Sequence, residues 1–279
     1  MRDRWILGVL ALMLTACAAP ALVPTPTPAD SYATPEQFQL AYPESLEPLV
    51  RALVSGYQQA RPNVRIVLVE RADDLAWPLL ERGEVELAAL AMSLPDDPSA
   101  ELWTTVFARD GLAVVVNPQN GVPGLTAAQL RELFVGRVAD WEPLGGLPGL
   151  PQLLTRDDAS GDQRFFQTAV MEASPVALTA LLLPTTESVL EKVAGEPLSV
   201  GYVSSARVDA RVRALAIEGM PPAKELLASG GYPLTRELYL AAGEAPQGAV
   251  YDFVQWVLGA PGQTVIERQG WVPAPAETP

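Results

Sequence analysis

Short apolar runs alternate with amphipathic helical stripes from about residue 36 to residue 270, and that alternation limits the chain to an α/β architecture. Residues 45–59 place Leu46, Leu49, Val50, Leu53, Val54 and Tyr57 on one helical stripe, with Ser45 where an N-cap belongs. Residues 64–69 read as a strand, and residues 73–82 as a short helix that Pro78 forces to begin late or to kink. Residues 85–92 and 111–116 read as strands buried on both faces. Thr126 caps a helix that ends at Gly136. A strand over 152–155, helices over 160–171 and 186–194, and a strand over 198–203 follow. Residues 214–217 and 234–240 are further strand candidates, and residues 246–258 and 262–269 are closing helices. Strands separated by helices imply mostly parallel sheets. One sheet holding all of them would be large for the chain, so two lobes joined by crossings at 111–117 and 234–241 are expected. Lobe I takes residues 35–112 and 232–272, lobe II takes 113–231, and a ligand cleft lies between them.

The first residues speak to compartment. Arg2 and Arg4 precede an apolar run from Trp5 to Leu14, about ten residues, which suits a signal peptide and is too short to span a bilayer. It ends in Leu14-Thr15-Ala16-Cys17, the pattern of a bacterial lipobox, so residues 1–16 are expected to be removed and Cys17 to carry lipid. Residues 17–34 are rich in Pro, Ala and Thr and form an extended tether; residues 273–279 look like a second short tail.

Composition excludes several functions. The chain has 19 Lys and Arg against 33 Asp and Glu, with no basic stripe, which argues against a nucleic-acid partner. It has no histidine, and Cys17 is its single cysteine. That removes the commonest general base, the commonest metal ligand, any disulfide and any cysteine cluster. Carboxylate chemistry of the glycosidase kind would remain, but no paired carboxylates with a substrate groove stand out. A binding protein without metal or cofactor is expected, not an enzyme.

The informative stretch is Leu154-Thr-Arg-Asp-Asp-Ala-Ser-Gly-Asp-Gln-Arg-Phe-Phe166, which leaves a strand, turns at small residues and enters a helix. Amides at a helix start are unpaired and, with the helix dipole, attract anions. Ser160 can add a hydroxyl and Arg156 a forked cationic donor. The plainer alternative is that Ser160 caps its helix and Arg156 pairs on the surface.

Wider segments resemble bacterial phosphate-binding proteins, the receptors of ABC phosphate importers. Phe107-Ala-Arg-Asp-Gly-Leu-Ala-Val-Val-Val-Asn-Pro-Gln-Asn120 is similar to the family's hinge strand, and residues 125–146, with Trp141 and Gly145-Gly146, to its helix, Trp and Gly-Gly segment. Gly201-Tyr-Val-Ser204, Gly231-Tyr-Pro-Leu-Thr-Arg-Glu-Leu-Tyr-Leu240 and residues 262–273 match three more stretches, in order. The resemblance implies a two-lobed periplasmic-binding-protein fold of the second type, a phosphate-like oxyanion as ligand, an ABC permease as partner, and attachment to the membrane through the Cys17 lipid. Arg156, Ser160 and Gly161 match the family's ligand motif, and Asp158 the acidic position that orients the Arg. Ala159 stands in place of a Gly, and Asp162 in place of a Thr that faces phosphate. A carboxylate there would repel an anion at 4 Å by roughly 4 kcal/mol at an effective dielectric of 20. Asp162 either accepts a proton from the ligand or turns back to its own helix start. The family's first helix opens with a donating Gly-Ser-Thr-like turn; here it is Tyr42-Pro43-Glu44-Ser45, so only Ser45 matches. Glu70-Arg-Ala-Asp-Asp74 replaces a second Gly-Ser-Ser turn, and Ser93 is a loose match to a third donor. A diverged receptor with another small polar ligand, or a sensory or scaffold role, is the alternative.

Overall fold

The computed structural model describes residues 36–91 and 102–274. Cys17, the tether, Ser93 and most of the C-terminal tail lie outside the described residues. β1 (Glu36–Tyr42) leads through a 3-10 turn (Glu44–Leu46) into α1 (Glu47–Ala60), followed by β2 (Val64–Glu70), α2 (Asp73–Glu81) and β3 (Leu87–Leu90). β4 (Trp103–Val116) then carries the chain into the second lobe. That lobe holds β5 (Gly124–Leu125), α3 (Ala127–Phe134), β6 (Gln152–Thr155), α4 (Gly161–Phe166) with a π-helical turn after it (Gln167–Met171), β7 (Leu181–Leu182) and α5 (Thr186–Gly195). It continues with β8 (Ser199–Ser204), β9 (Arg213–Ala214), β10 (Ala216–Ile217) and α6 (Lys224–Ser229). β11 (Thr235–Ala242), α7 (Gly248–Leu258), α8 (Ala260–Arg268) and β12 (Val272–Pro273) close the chain.

The expected pair of mostly parallel sheets is instead one mixed sheet, hydrogen-bonded without a break in the order β2-β1-β3-β11-β4-β8-β6-β7. β1 is parallel to β2 and β3, and β8 to β6, whereas β4 is antiparallel to both β11 and β8. The long strand explains the join. Its residues from Trp103 to Gly111 pair with β11, and from Leu112 to Val116 with β8. Above the first half lies a core containing Phe38, Leu53, Tyr57, Phe107 and Phe253; the second half enters another containing Phe134, Trp141, Phe166 and Tyr202. Two lobes thus share one strand.

Local departures have local causes. Pro43 precedes the 3-10 turn and a proline occupies the first turn of α1, so α1 starts at Glu47 and Ser45 sits inside the turn without capping it. α2 begins at Asp73 and carries Pro78 in its interior. The strand expected over 214–217 is divided: β9 pairs with β4, while β10 pairs with β5. Thr126 caps α3 in a reciprocal box with Gln129, as its sequence suggests. Gly145 takes φ +83°, and a Cβ at Gly146 would lie 2.6 Å from Asn120 Oδ1 and 2.8 Å from Trp141 Cβ. The Gly-Gly pair therefore lets the chain wrap the buried Trp141 indole, whose Nε1–H donates to the Leu198 carbonyl at 3.0 Å.

The second lobe's core fixes the turn before α4. Phe166 stacks on Tyr202 with centroids 4.2 Å apart and planes at 10°, and Phe134 meets Phe166 edge-on at 4.6 Å. Phe166→Ala is expected to lower unfolding stability by about 3–5 kcal/mol, read from urea denaturation. A loss well under 1 kcal/mol would show that the stack does not hold α4 in place.

Candidate functional site

The two lobes meet at a pocket of about 300 Å³ lined by Glu44, Ser45 and Arg71 on one side and by Arg156 and Ser160 on the other. Arg156 follows β6 directly, and its backbone N–H donates to Tyr202 Oη at 3.3 Å. Tyr202 Oη is also 2.9 Å from Thr155 Oγ1 and donates to Gln163 Oε1. The aromatic stack and this small network set the direction in which the Arg156 side chain leaves the sheet.

The guanidinium is 5% exposed, so it is a buried donor and not a surface partner. Its Nη2 donates to Glu44 Oε2 at 3.1 Å and to the Pro184 carbonyl at 3.0 Å; Nη1 donates to Thr186 Oγ1 at 3.3 Å. Nε is buried without a hydrogen-bond partner among the described residues. Glu44 crosses from the opposite lobe to the start of α5, where the Thr186 N–H reaches both its carboxylate oxygens at 3.1 and 3.0 Å and Thr186 Oγ1 donates to Oε2 at 3.1 Å. An unpaired helix-start amide, a hydroxyl and a forked cation therefore converge on one oxygen anion.

Asp73 makes a second crossing. Its Oδ2 accepts the Gly161 N–H at 2.9 Å and its Oδ1 the Ala91 N–H at 2.6 Å. A Cβ at residue 161 would lie 2.5 Å from Asp73 Oδ2 and 2.9 Å from its Cγ, so only glycine lets the opposing carboxylate approach this backbone. Arg164 adds a more exposed link, its Nη2 donating to Asp74 Oδ2 at 3.1 Å.

Behind these lies Arg236 of β11, the register partner of Asp110 in β4. Its Nη2 donates to Asp110 Oδ2 at 2.8 Å and to Asp162 Oδ1 at 2.6 Å, and its Nη1 to the Ala91 carbonyl at 3.1 Å. Asp110 Oδ1 also accepts from Ser204 Oγ at 2.8 Å and from the Gly111 N–H at 2.8 Å. Burial pushes the Asp110 carboxyl upward, with Arg236 opposing the shift. Burial likewise pushes Asp73 up to about 6, against the pull of the Ala91 amide and Arg236. Burial alone lowers Arg236, but Asp162 and Asp110 outweigh it and hold the guanidinium above its ordinary range.

The residues singled out in the sequence have diverse positions. Arg156, Ser160 and Ser45 line the interlobe pocket, and the Gly161 amide faces the opposite lobe. Ser160 occupies the N-cap position of α4 but makes no side-chain capping bond. Asp158 is exposed; the carboxylates facing the Arg156 guanidinium are those of Glu44 and Asp162. Asp162 is fully buried and does not turn to its own helix start, because two guanidinium groups attract it more strongly than amide dipoles do. Its Oδ2 accepts no hydrogen bond from the described residues and lies 3.8 Å from Arg156 Nη1. Glu44, Asp73, Asp110, Thr186 and Arg236 were not singled out as site residues. Glu44 and Asp73 carried the one available signal, since acidic residues stand where the resemblance expects donors.

Between roughly pH 4 and 6, folded Asp73 retains a proton that the unfolded chain has released, so its contribution to stability falls as pH rises through that window. Carbon-detected NMR of the Asp73 carboxyl is expected to titrate with a midpoint near 6. A midpoint at or below that of an exposed aspartate would contradict the burial described above.

With this geometry in view, comparison with known proteins places the chain. The PBP superfamily domain matches residues 30–261. "Phosphate-binding protein PstS" of Bacillus subtilis is 23% identical over 234 residues, covering 82% of this chain and 78% of that protein. The protein of the same name from Pseudomonas aeruginosa is 25% identical over 269 residues, covering 84% and 82%. Among solved structures, a putative phosphate ABC transporter substrate-binding protein with bound phosphate from Clostridium perfringens superposes with TM-score 0.82 at 21% identity, covering 86% of this chain and all of that one. An ABC-type phosphate transport receptor from Vibrio cholerae gives TM-score 0.74 at 24% identity, covering 85% of this chain and all of its own. The fold is that of a two-lobed periplasmic binding protein, and the chain belongs to the PBP superfamily.

Proposed function

We propose that this chain is a lipid-anchored, extracytoplasmic solute-binding protein that captures phosphate or a related tetrahedral oxyanion between its lobes and delivers it to the permease of an ABC importer, without chemical turnover. The convergence of Arg156, the Thr186 N–H and Thr186 Oγ1 on a single carboxylate carries this reading. Donors that hold two carboxylate oxygens suit the oxygens of phosphate equally well. Relatives along most of the chain bear the name of phosphate-binding proteins, which supports the same ligand class. In this reading Ser45 and Ser160 add hydroxyls at the pocket and Ser93 supplies a further donor, while the Gly161 amide stays committed to Asp73. Asp162, fully buried with its Oδ2 3.8 Å from Arg156 Nη1, stands behind the guanidinium and counterbalances its charge. Asp158, expected to orient Arg156, yields that task to Glu44 and Asp162. Cys17 carries the lipid, and residues 17–34, rich in Pro, Ala and Thr, connect it to the lobes.

A second reading, a diverged receptor for another small polar ligand or with a sensory or scaffold role, is favoured by one observation. Carboxylates of the protein itself, Glu44 and Asp73, already rest on the donors that an anion would use.

Calorimetry on protein stripped of bound anions is expected to show micromolar or tighter binding of one among phosphate, arsenate, sulfate and molybdate. Arg156→Lys, which keeps the charge and loses the fork, should weaken that binding at least tenfold, about 1.4 kcal/mol. An absence of binding at millimolar concentration of every oxyanion would sink the transport reading and leave the second. For the anchor, Cys17→Ser is expected to release the protein from the membrane fraction and abolish fatty-acid labelling; unchanged membrane association would refute lipidation at that residue.

A further inference from the structure

We propose that Glu44 is the resident anion of the seat formed by Arg156 and the start of α5, holding the lobes together when no oxyanion is bound, so that an entering oxyanion must exchange with it. The inference rests on the oxyanion reading above and deepens it. In place of two half-sites closing on a free anion, capture becomes the replacement of one anion by another.

Several observations converge on this seat. Both Glu44 oxygens are engaged: Oε1 by the Thr186 N–H, and Oε2 by that amide, by Thr186 Oγ1 and by Arg156 Nη2. These contacts join residues 142 and 112 positions apart in the chain, one partner from each lobe, so they are lost when the lobes separate. α5 is ten residues long, enough to present a helix-start field. The Arg156 side chain is 5% exposed, yet its Nε has no hydrogen-bond partner among the described residues, leaving a buried donor that the carboxylate does not satisfy. An oxyanion with more oxygens than a carboxylate can use it.

The same geometry singles out Glu44 as the group that gives way. Its side chain is 21% exposed, borders the pocket and projects from a short 3-10 turn, which makes it more accessible than the buried carboxylates at the seam. Asp73, Asp110 and Asp162 are fully buried and fixed by amides or by Arg236, so they stay in place. An oxyanion entering with Glu44 still seated would meet a like charge across the same donors, and removing that charge strengthens binding.

The test compares wild type with Glu44→Gln and Glu44→Ala, using phosphate as the probe in calorimetry and small-angle scattering on phosphate-stripped full chain. Both variants are expected to bind phosphate at least tenfold more tightly than wild type, and to show a larger radius of gyration when stripped. The alanine variant guards against glutamine rebuilding the bonds to Thr186. If wild type binds phosphate and neither variant binds it more tightly, the exchange is refuted while the capture reading stands. Tighter binding with unchanged scattering refutes the role of Glu44 in holding the lobes. If no form binds phosphate, the capture reading fails and scattering decides: expansion of the variants supports Glu44 as the resident anion, and unchanged dimensions overturn it.

Discussion

The seam between the lobes is organised around one buried cation. Arg236 projects from β11 opposite Asp110 in β4 and reaches Asp162 at the start of α4, so a single guanidinium ties two strands of one sheet to a helix of the other lobe. In a low-dielectric interior neither the cation nor the two carboxylates can be left alone. Removing one partner of such a cluster costs about 3–5 kcal/mol because the remaining charges stay buried. With this cluster assembled, α4 has its orientation, the Gly161 amide points across the seam, and Arg156 lies where it can meet Glu44.

The buried charges at the seam do not cancel. Arg156 and Arg236 face Glu44, Asp73, Asp110 and Asp162, a formal excess of two negative charges supplied by the chain itself. That excess equals the charge a hydrogen phosphate dianion would bring. Neutral donors, the amides of Gly161 and Thr186, therefore carry much of the work of stabilising negative charge here, as backbone dipoles do at helix starts. Burial, with a smaller push from Asp162, raises the Asp73 carboxyl against the pull of the Ala91 amide and Arg236.

Much of the fold is legible in residue patterns because its causes are local. The Thr126 and Gln129 capping box, the α1 stripe and the run over 152–155 each follow from side chains within one or two turns of each other. What escaped is long-range. Whether β4 joins two sheets or merely crosses between them depends on pairings with β11 and β8, more than 80 residues downstream, and no window of sequence contains those partners. The candidate site divides in the same way. Arg156, Ser160 and Gly161 stand out because their spacing at a strand-to-helix turn is itself the chemistry. Arg236 reads as an ordinary strand residue until Asp110 and Asp162 are placed beside it, and Asp162 looks like a helix-start acid until two guanidinium groups appear. Glu44 and Asp73 registered only as missing donors; that they act as acceptors for the opposite lobe became visible only with both lobes in view.

Strand β4 also has a thermodynamic meaning. A 14-residue ladder whose first half is packed into one core and whose second half is packed into another makes the two cores mechanically continuous. Neither half can lose its packing without exposing unpaired amides and carbonyls in the strand that serves the other. The continuous strand couples the packing of one lobe to that of the other.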